Sequence, residues 1–167
     1  MRMTNTSKVA ALAAVCLTAA LLQACYQSTA YFRYFSTNIK GWERDTVLHY
    51  HVPAVKEGGF YAEEIGVRTS RLYPFKQLSL VVNQKVISTS GSHANVVNSD
   101  TIVLDIYDEE GNLRGKGVDL YQLVVPFKGI RLQEGDSIEM AIHHNMRRFA
   151  LEGIADVGLK VTKAYAE

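Results

Sequence analysis

Four of the five histidines fall in two close pairs, His49 with His51 and His143 with His144. In a strand, residues two apart share a face and neighbours oppose each other. His49 and His51 can therefore act together, and only one of His143 and His144 can join them. Three imidazoles on one surface could hold zinc. No acid stands at His-Glu-x-x-His spacing, however, so the pattern favours two surface histidines and a polar turn. Ser92, in Gly91-Ser92-His93, lacks the glycines two before and two after that a nucleophile elbow needs. Glu63-Glu64 and Glu109-Glu110 are adjacent carboxylates, which cannot flank a sugar bond from two sides. Gly111, Gly115 and Gly117 lack the phosphate-loop spacing. These residues predict no enzyme, no metal and no cofactor.

Cys25 is different. It follows the apolar run from Val9 to Leu22, with Arg2 and Lys8 ahead of it and the small Ala24 just before it. A positive start, a short apolar stretch and a small residue at the cut make an export signal. Leu22 three places ahead of the cysteine makes the segment resemble a bacterial lipoprotein signal, in which the cysteine is lipidated and becomes the first mature residue. A membrane span needs about 20 apolar residues, and this run is shorter. An ordinary signal cut after Ala24 also fits. Cys16, behind the β-branched Val15, is the poorer acceptor and leaves with the leader.

The expected organisation is a leader over residues 1–24, a lipidated cysteine and tether over 25–40, and one domain over 41–167. From Cys25 onward, sixteen basic side chains face seventeen acidic ones. Such a balance offers no basic stripe for nucleic acid. One domain of this size buries enough surface to stand without disulfides or metals.

Alternation carries the fold. Leu48, Tyr50 and Val52 share a face, as do Ile65 and Val67, then Leu78, Leu80 and Val82, then Ile102, Leu104 and Ile106. Val118 to Phe127 reads as a strand stopped by Pro126 and Gly129. Ile138, Met140 and Ile142 alternate, and so do Val157, Leu159 and Val161. Asp108-Glu109-Glu110-Gly111-Asn112 and Gly135-Asp136 read as turns. Gly115-x-Gly117 reads as a bulge or close backbone approach. Residues 26–40 read as a tether turning into structure, since Tyr31, Phe32, Tyr34 and Phe35 are too apolar for a free linker. About eight short strands with Gly and Pro turns predict an all-β single β-sandwich, jelly-roll or immunoglobulin-like.

Trp42 reads as core. Tyr61, Tyr107 and Tyr121 are candidate sugar-stacking rings, the basis of an alternative carbohydrate-binding reading. Residues 143–159 read as a long connection carrying Arg147 and Arg148, in which Asp156 can pair with Arg147 or Arg68 and lock the loop onto the sheet.

Two segments carry a resemblance. Arg68-Thr69-Ser70-Arg71-Leu72-Tyr73-Pro74-Phe75-Lys76-Gln77-Leu78 resembles the "R…YPY.NL" stretch of the gliding-motility lipoprotein GldH family of Bacteroidetes. His144-Asn145-Met146-Arg147 followed by Leu151-Glu152-Gly153-Ile154-Ala155-Asp156-Val157-Gly158-Leu159 is similar to its "H.MR…L.GI.DVGL" signature. The chain departs from that pattern at Phe75 and Gln77 and lacks a tryptophan near Leu113. The resemblance implies a non-enzymatic envelope lipoprotein associated with gliding and type IX secretion machinery. Loops at one end of a sandwich are the usual binding surface, which makes Arg68, Tyr73, Phe75, His144, Met146, Arg147 and Asp156 the candidate interaction surface for other envelope proteins. Tyr26-Gln27-Ser28-Thr29 lacks the acidic cluster that resembles a surface-export signal in such bacteria. The expected location is therefore the outer membrane, with the domain facing the periplasm.

Overall fold

The computed structural model describes residues 28–88 and 96–164. Every regular element among them is a strand: β1 (Thr29–Ser36), β2 (Trp42–Glu43), β3 (Leu48–Val52), β4 (Gly59–Thr69), β5 (Gln77–Ile87), β6 (Val96–Asp105), β7 (Lys116–Gly117), β8 (Tyr121–Leu132), β9 (Ser137–His144), β10 (Ala150–Leu151) and β11 (Ile154–Ala164). One sheet has the order β1-β11-β4-β8-β7, a second the order β3-β9-β5-β6, and β10 and β2 form a small ribbon. All pairings are antiparallel.

The alternating residues of both sheets meet in one core. Tyr50, Val52, Ile65, Val67, Leu78, Leu80, Val82, Met140, Ile142, Val157, Leu159 and Val161 are all buried. Each such side chain contributes about 1.5–3 kcal/mol when withdrawn from water. Polar contacts also cross the core: the Tyr50 hydroxyl donates to the Val157 carbonyl at 2.7 Å, and the Phe35 and Tyr50 rings meet edge-on at 5.0 Å.

Three expectations need correction. The tether is already sheet by Thr29, since β1 pairs with β11 from Thr29↔Thr162 to Ser36↔Asp156. Its outward Tyr34 lies across Gly158 and Gly66, where added Cβ atoms would overlap the ring. Pro126 and Gly129 do not stop β8, which runs on to Leu132. Beyond the short β7 pairing, β8 has β4 on one side only, and such an edge tolerates the missing N–H of proline. A bulge between Ala62 and Glu64 in the same ladder absorbs the irregularity. Finally, His143 and His144 belong to β9, and Val118 precedes β8 in the turn leaving β7.

The connections sort themselves to two poles. Residues 37–47, 70–76, 106–120 and 145–153 all leave the sheets at the end marked by Ser36, Thr69, Asp105 and His144. Residues 53–58 and 133–136 turn at the other end, where both described chain ends also lie. Seven steps of β1 separate Thr29 from Ser36, about 24 Å at strand rise.

One buried carboxyl faces across the core. Glu63 is 1% exposed and accepts a 2.5 Å hydrogen bond from Gln84 Nε2 across the sheets. Its other oxygen has no partner among the described residues. Burial pushes the carboxyl up to about 7, against the Gln84 hydrogen bond and the nearby Lys128 charge. The folded protein therefore holds a proton there that the unfolded chain releases above the ordinary carboxylate range. Stability from this group is fully present below that range and is lost as pH rises through about 7. Glu63→Gln is expected to stabilise the protein at pH 8 by up to about 3 kcal/mol. The variant-minus-wild-type difference in unfolding free energy, measured by urea titration from pH 5 to 8, should grow with pH and level off above about 7. A flat difference would refute the assignment.

Candidate functional site

The two signature segments meet at the pole that carries the four long connections. Gly153 adopts a φ of +83°, and a Cβ there would sit 2.7 Å from Tyr73 Cα and closer still to its nitrogen. The Gly153 carbonyl accepts from Ser70 N–H and its own N–H donates to the Ile39 carbonyl, each at 2.8 Å. Asn145 N–H donates to the Ser79 carbonyl at 2.9 Å, and Ser79 N–H points at Met146 Sδ at 3.4 Å. These bonds hold residues 37–47, 70–76 and 145–153 as one surface.

Two of the expected surface residues are core instead. Tyr73 is 1% exposed. Its hydroxyl donates to the Gln77 carbonyl, its carbonyl accepts from the Tyr107 hydroxyl, and burial pushes its phenol upward. It pins the turn beneath the surface, with Phe75 edge-on and half-buried. His144 is fully buried and edge-on to Trp42 at 5.1 Å. One ring nitrogen faces the Trp42 carbonyl at 3.1 Å and the other accepts Met146 N–H at 3.3 Å. Burial pulls its pKa down. A neutral imidazole satisfies both bonds, whereas a charged one would lose the acceptor. Met146 is half-buried against the core.

Asp156 pairs with Arg68 at 3.6 Å and also accepts from Ser36 Oγ at 2.8 Å. Arg68 Nε donates to Gln122, and its guanidinium lies 4.3 Å over the Tyr34 ring. This row ties β1, β11, β4 and β8 together, so the Asp156–Arg68 pair joins neighbouring strands of one sheet and does not lock residues 145–153 onto it as expected. Arg147 remains exposed on the surface.

The exposed apolar residues were the ones sequence reasoning missed. Val118 is 85% exposed and Leu72 65%, and Phe149, Leu120, Val47 and Ile39 join them at this pole. Gly117 lets the turn at Val118-Asp119-Leu120 close, because a Cβ there would overlap the Leu120 carbonyl. Arg71 pins the base by donating to the Tyr121 hydroxyl at 2.8 Å. An apolar residue between two turn formers, out of phase with the strands, is the signal that could have found Leu72 and Val118.

The proposed stacking rings form no platform. Tyr61 is buried with its hydroxyl on the Glu57 carbonyl, while Tyr107 and Tyr121 are half-buried and bonded. His49 and His51 are exposed on β3 beside a groove of about 410 Å³ that Asn83, Lys85 and Glu139 also line. No group of three potential ligands that could hold a metal occurs among the described residues. Cys25, Ser92 and His93 lie outside the described residues.

A family model described as GldH lipoprotein matches residues 29–161, from the start of β1 into β11. The chain belongs to the GldH lipoprotein family. Both signature segments fall inside the match. A curated relative, "Gliding motility lipoprotein GldH" of Flavobacterium johnsoniae, is 28% identical over 155 residues, covering 87% of this chain and 91% of the relative. Among solved structures, "Structure of Eiger TNF from S. frugiperda" covers 84% of this chain and 90% of its own at 14% identity and a TM-score of 0.35. That likeness is too loose to bear on fold or function.

For this GldH-family chain the signature glycine is a packing requirement. Gly153→Ala is expected to cost more than about 2 kcal/mol, since positive φ and overlap with the Tyr73 backbone act together. Arg147→Ala should stay within about 0.5 kcal/mol. Thermal unfolding of both variants checks the pair; equal losses would contradict the placement.

Proposed function

We propose that the protein is a non-enzymatic lipoprotein, acylated at Cys25, that docks other envelope proteins through its loop-bearing pole. It serves as an accessory part of gliding or type IX secretion machinery. Family membership supports the lipoprotein assignment. The name of the Flavobacterium johnsoniae relative supports the link to gliding. The Leu22-Gln23-Ala24-Cys25 sequence supports the site of acylation. The missing acidic cluster after Cys25 favours the outer membrane with the domain facing the periplasm. The leader is residues 1–24, and the folded body already includes β1 from Thr29, ahead of residue 41.

The single observation that carries this reading is the run of β1. Cys25 lies four residues before Thr29, a reach of at most about 14 Å. The terminal pole must therefore rest near the membrane, and the four long connections must face away from it. Six of the eleven large apolar residues exposed among those described, Val118 and Leu72 foremost, lie on that far pole, where a membrane anchored at Cys25 cannot cover them. Apolar groups left in water in this way mark contact sites for other proteins.

We read the sheets as a jelly roll. Taken as eight long strands in chain order, they pair first with last (β1 with β11), second with seventh (β3 with β9), third with sixth (β4 with β8) and fourth with fifth (β5 with β6). A long hairpin rolled into two sheets gives this nesting. An immunoglobulin order of ABED against CFG does not.

Two measurements test the proposal. Cys25→Ala should abolish incorporation of labelled palmitate and move the protein to the soluble fraction; retention on membranes removes the anchor. A photo-reactive residue at Leu72 or Val118 should give a crosslink of defined mass in intact cells that one at Lys56 or Glu134 does not. Crosslinks from the terminal pole alone would reverse the orientation.

A further inference from the structure

We infer that β1 is built as a clamp that carries tension between the lipid anchor and whatever holds the loop-bearing pole. The inference rests on the lipoprotein reading above. Its geometry comes from register alone. A pull on Cys25 enters the fold at Thr29 and runs along β1 toward the membrane. A partner at the opposite pole pulls the body the other way. The two forces are antiparallel along the strand axis.

Hydrogen bonds of an antiparallel ladder lie across the strands. Force along β1 must therefore shear the bonds from Tyr31↔Val161 to Ser36↔Asp156 together. The C-terminal end lies beside Thr29, since Lys163 N–H donates to the Ser28 carbonyl. Pulling those two ends apart would instead open the ladder one bond at a time. The chain attaches its anchor so that the stronger direction is the one loaded.

Side chains oppose sliding as well. The Tyr34 ring sits in a row of glycines, Gly158 and Gly66, and is covered by the Arg68 guanidinium. A slide of two residues toward the anchor drives that ring into the next row, where Lys160 and Glu64 form a 2.9 Å ion pair. At the far end of β1, Ser36 holds Asp156. Thr37 adds bonds to the Ala155 and Ile154 carbonyls at 2.8 and 2.6 Å. An edge strand paired on one side only is thus fixed along its axis at its middle and its far end.

Single-molecule pulling on the chain that begins at Cys25, the mature form proposed above, tests this. Handles at Cys25 and at Glu110→Cys, in the exposed turn of the far pole, load β1 in shear. Handles at Cys25 and the C-terminus peel it. At equal loading rate the first rupture force should be at least twice as high in shear. Tyr34→Ala should bring the shear force down toward the peeling force, and Tyr34→Phe should keep it. Val82→Ala, in the other sheet, should leave the shear force unchanged, with urea unfolding recorded for each variant to set rupture force against stability. Equal forces in the two directions, or equal losses for Tyr34→Ala and Val82→Ala, would overturn the clamp. No membrane or partner is present, so failure here leaves the docking reading standing. Failed crosslinking in cells would leave this measurement untouched.

Discussion

Tyr34 lies flat across two strands because Gly158 and Gly66 stand side by side beneath it, and a single methyl at either glycine would overlap its ring. The seating of the edge strand follows from that contact. It seats β1 on β11, and β11 in turn joins β1 to β4. The same face carries Arg68, Asp156 and Gln122 in the adjacent row, so the ring is covered above as well as below. With β1 seated, Phe35 and Tyr50 close the core between the sheets. Without it, β11 would be an unpaired edge and the chain between Cys25 and Trp42 would be loose. The glycines are costly in a strand taken alone; the aromatic ring placed over them offsets that cost through packing.

The same logic explains which parts of the fold were legible in the sequence. Alternation at Leu48, Tyr50 and Val52, or at Ile138, Met140 and Ile142, reports a local rule: each strand shows one side to the core. Those elements were readable because nothing distant changes them. Residues 29–36 were harder, because their alternation puts large rings on the outside. Phe32 is 60% exposed, and Tyr34 packs outward onto Gly66 and Gly158, both far later in the chain. Pro126 misled for a related reason. Its missing donor matters only where a neighbour would accept, and the edge position of that part of β8 is a property of strand order, which a sequence does not display.

The site shows a similar division. Tyr73, His144 and Gly153 are the distinctive letters of the two signature segments, and all three face inward to hold the turns together. Their types were informative, since a buried tyrosine or histidine must find hydrogen-bond partners and so fixes its surroundings. Their direction was not readable, because Met146 N–H and the Trp42 carbonyl, which satisfy His144, come together only on folding. The surface was carried by plain residues, Leu72, Val118 and Phe149, which stand as single apolar letters outside the alternation of the strands.

Topology then turns these local facts into a direction in space. In a rolled antiparallel hairpin, successive connections alternate between the two ends. A chain that enters at one end must therefore place its first, third, fifth and seventh long connections at the other. Residues 37–47, 70–76, 106–120 and 145–153 are those four connections. An anchor placed ahead of β1 sends all of them away from the membrane together, whatever their sequence. The return of β11 beside β1 brings the C-terminal end back to the pole where β1 begins. The turns 53–58 and 133–136 lie at the opposite pole, where β1 begins. That division follows from where the chain enters the roll.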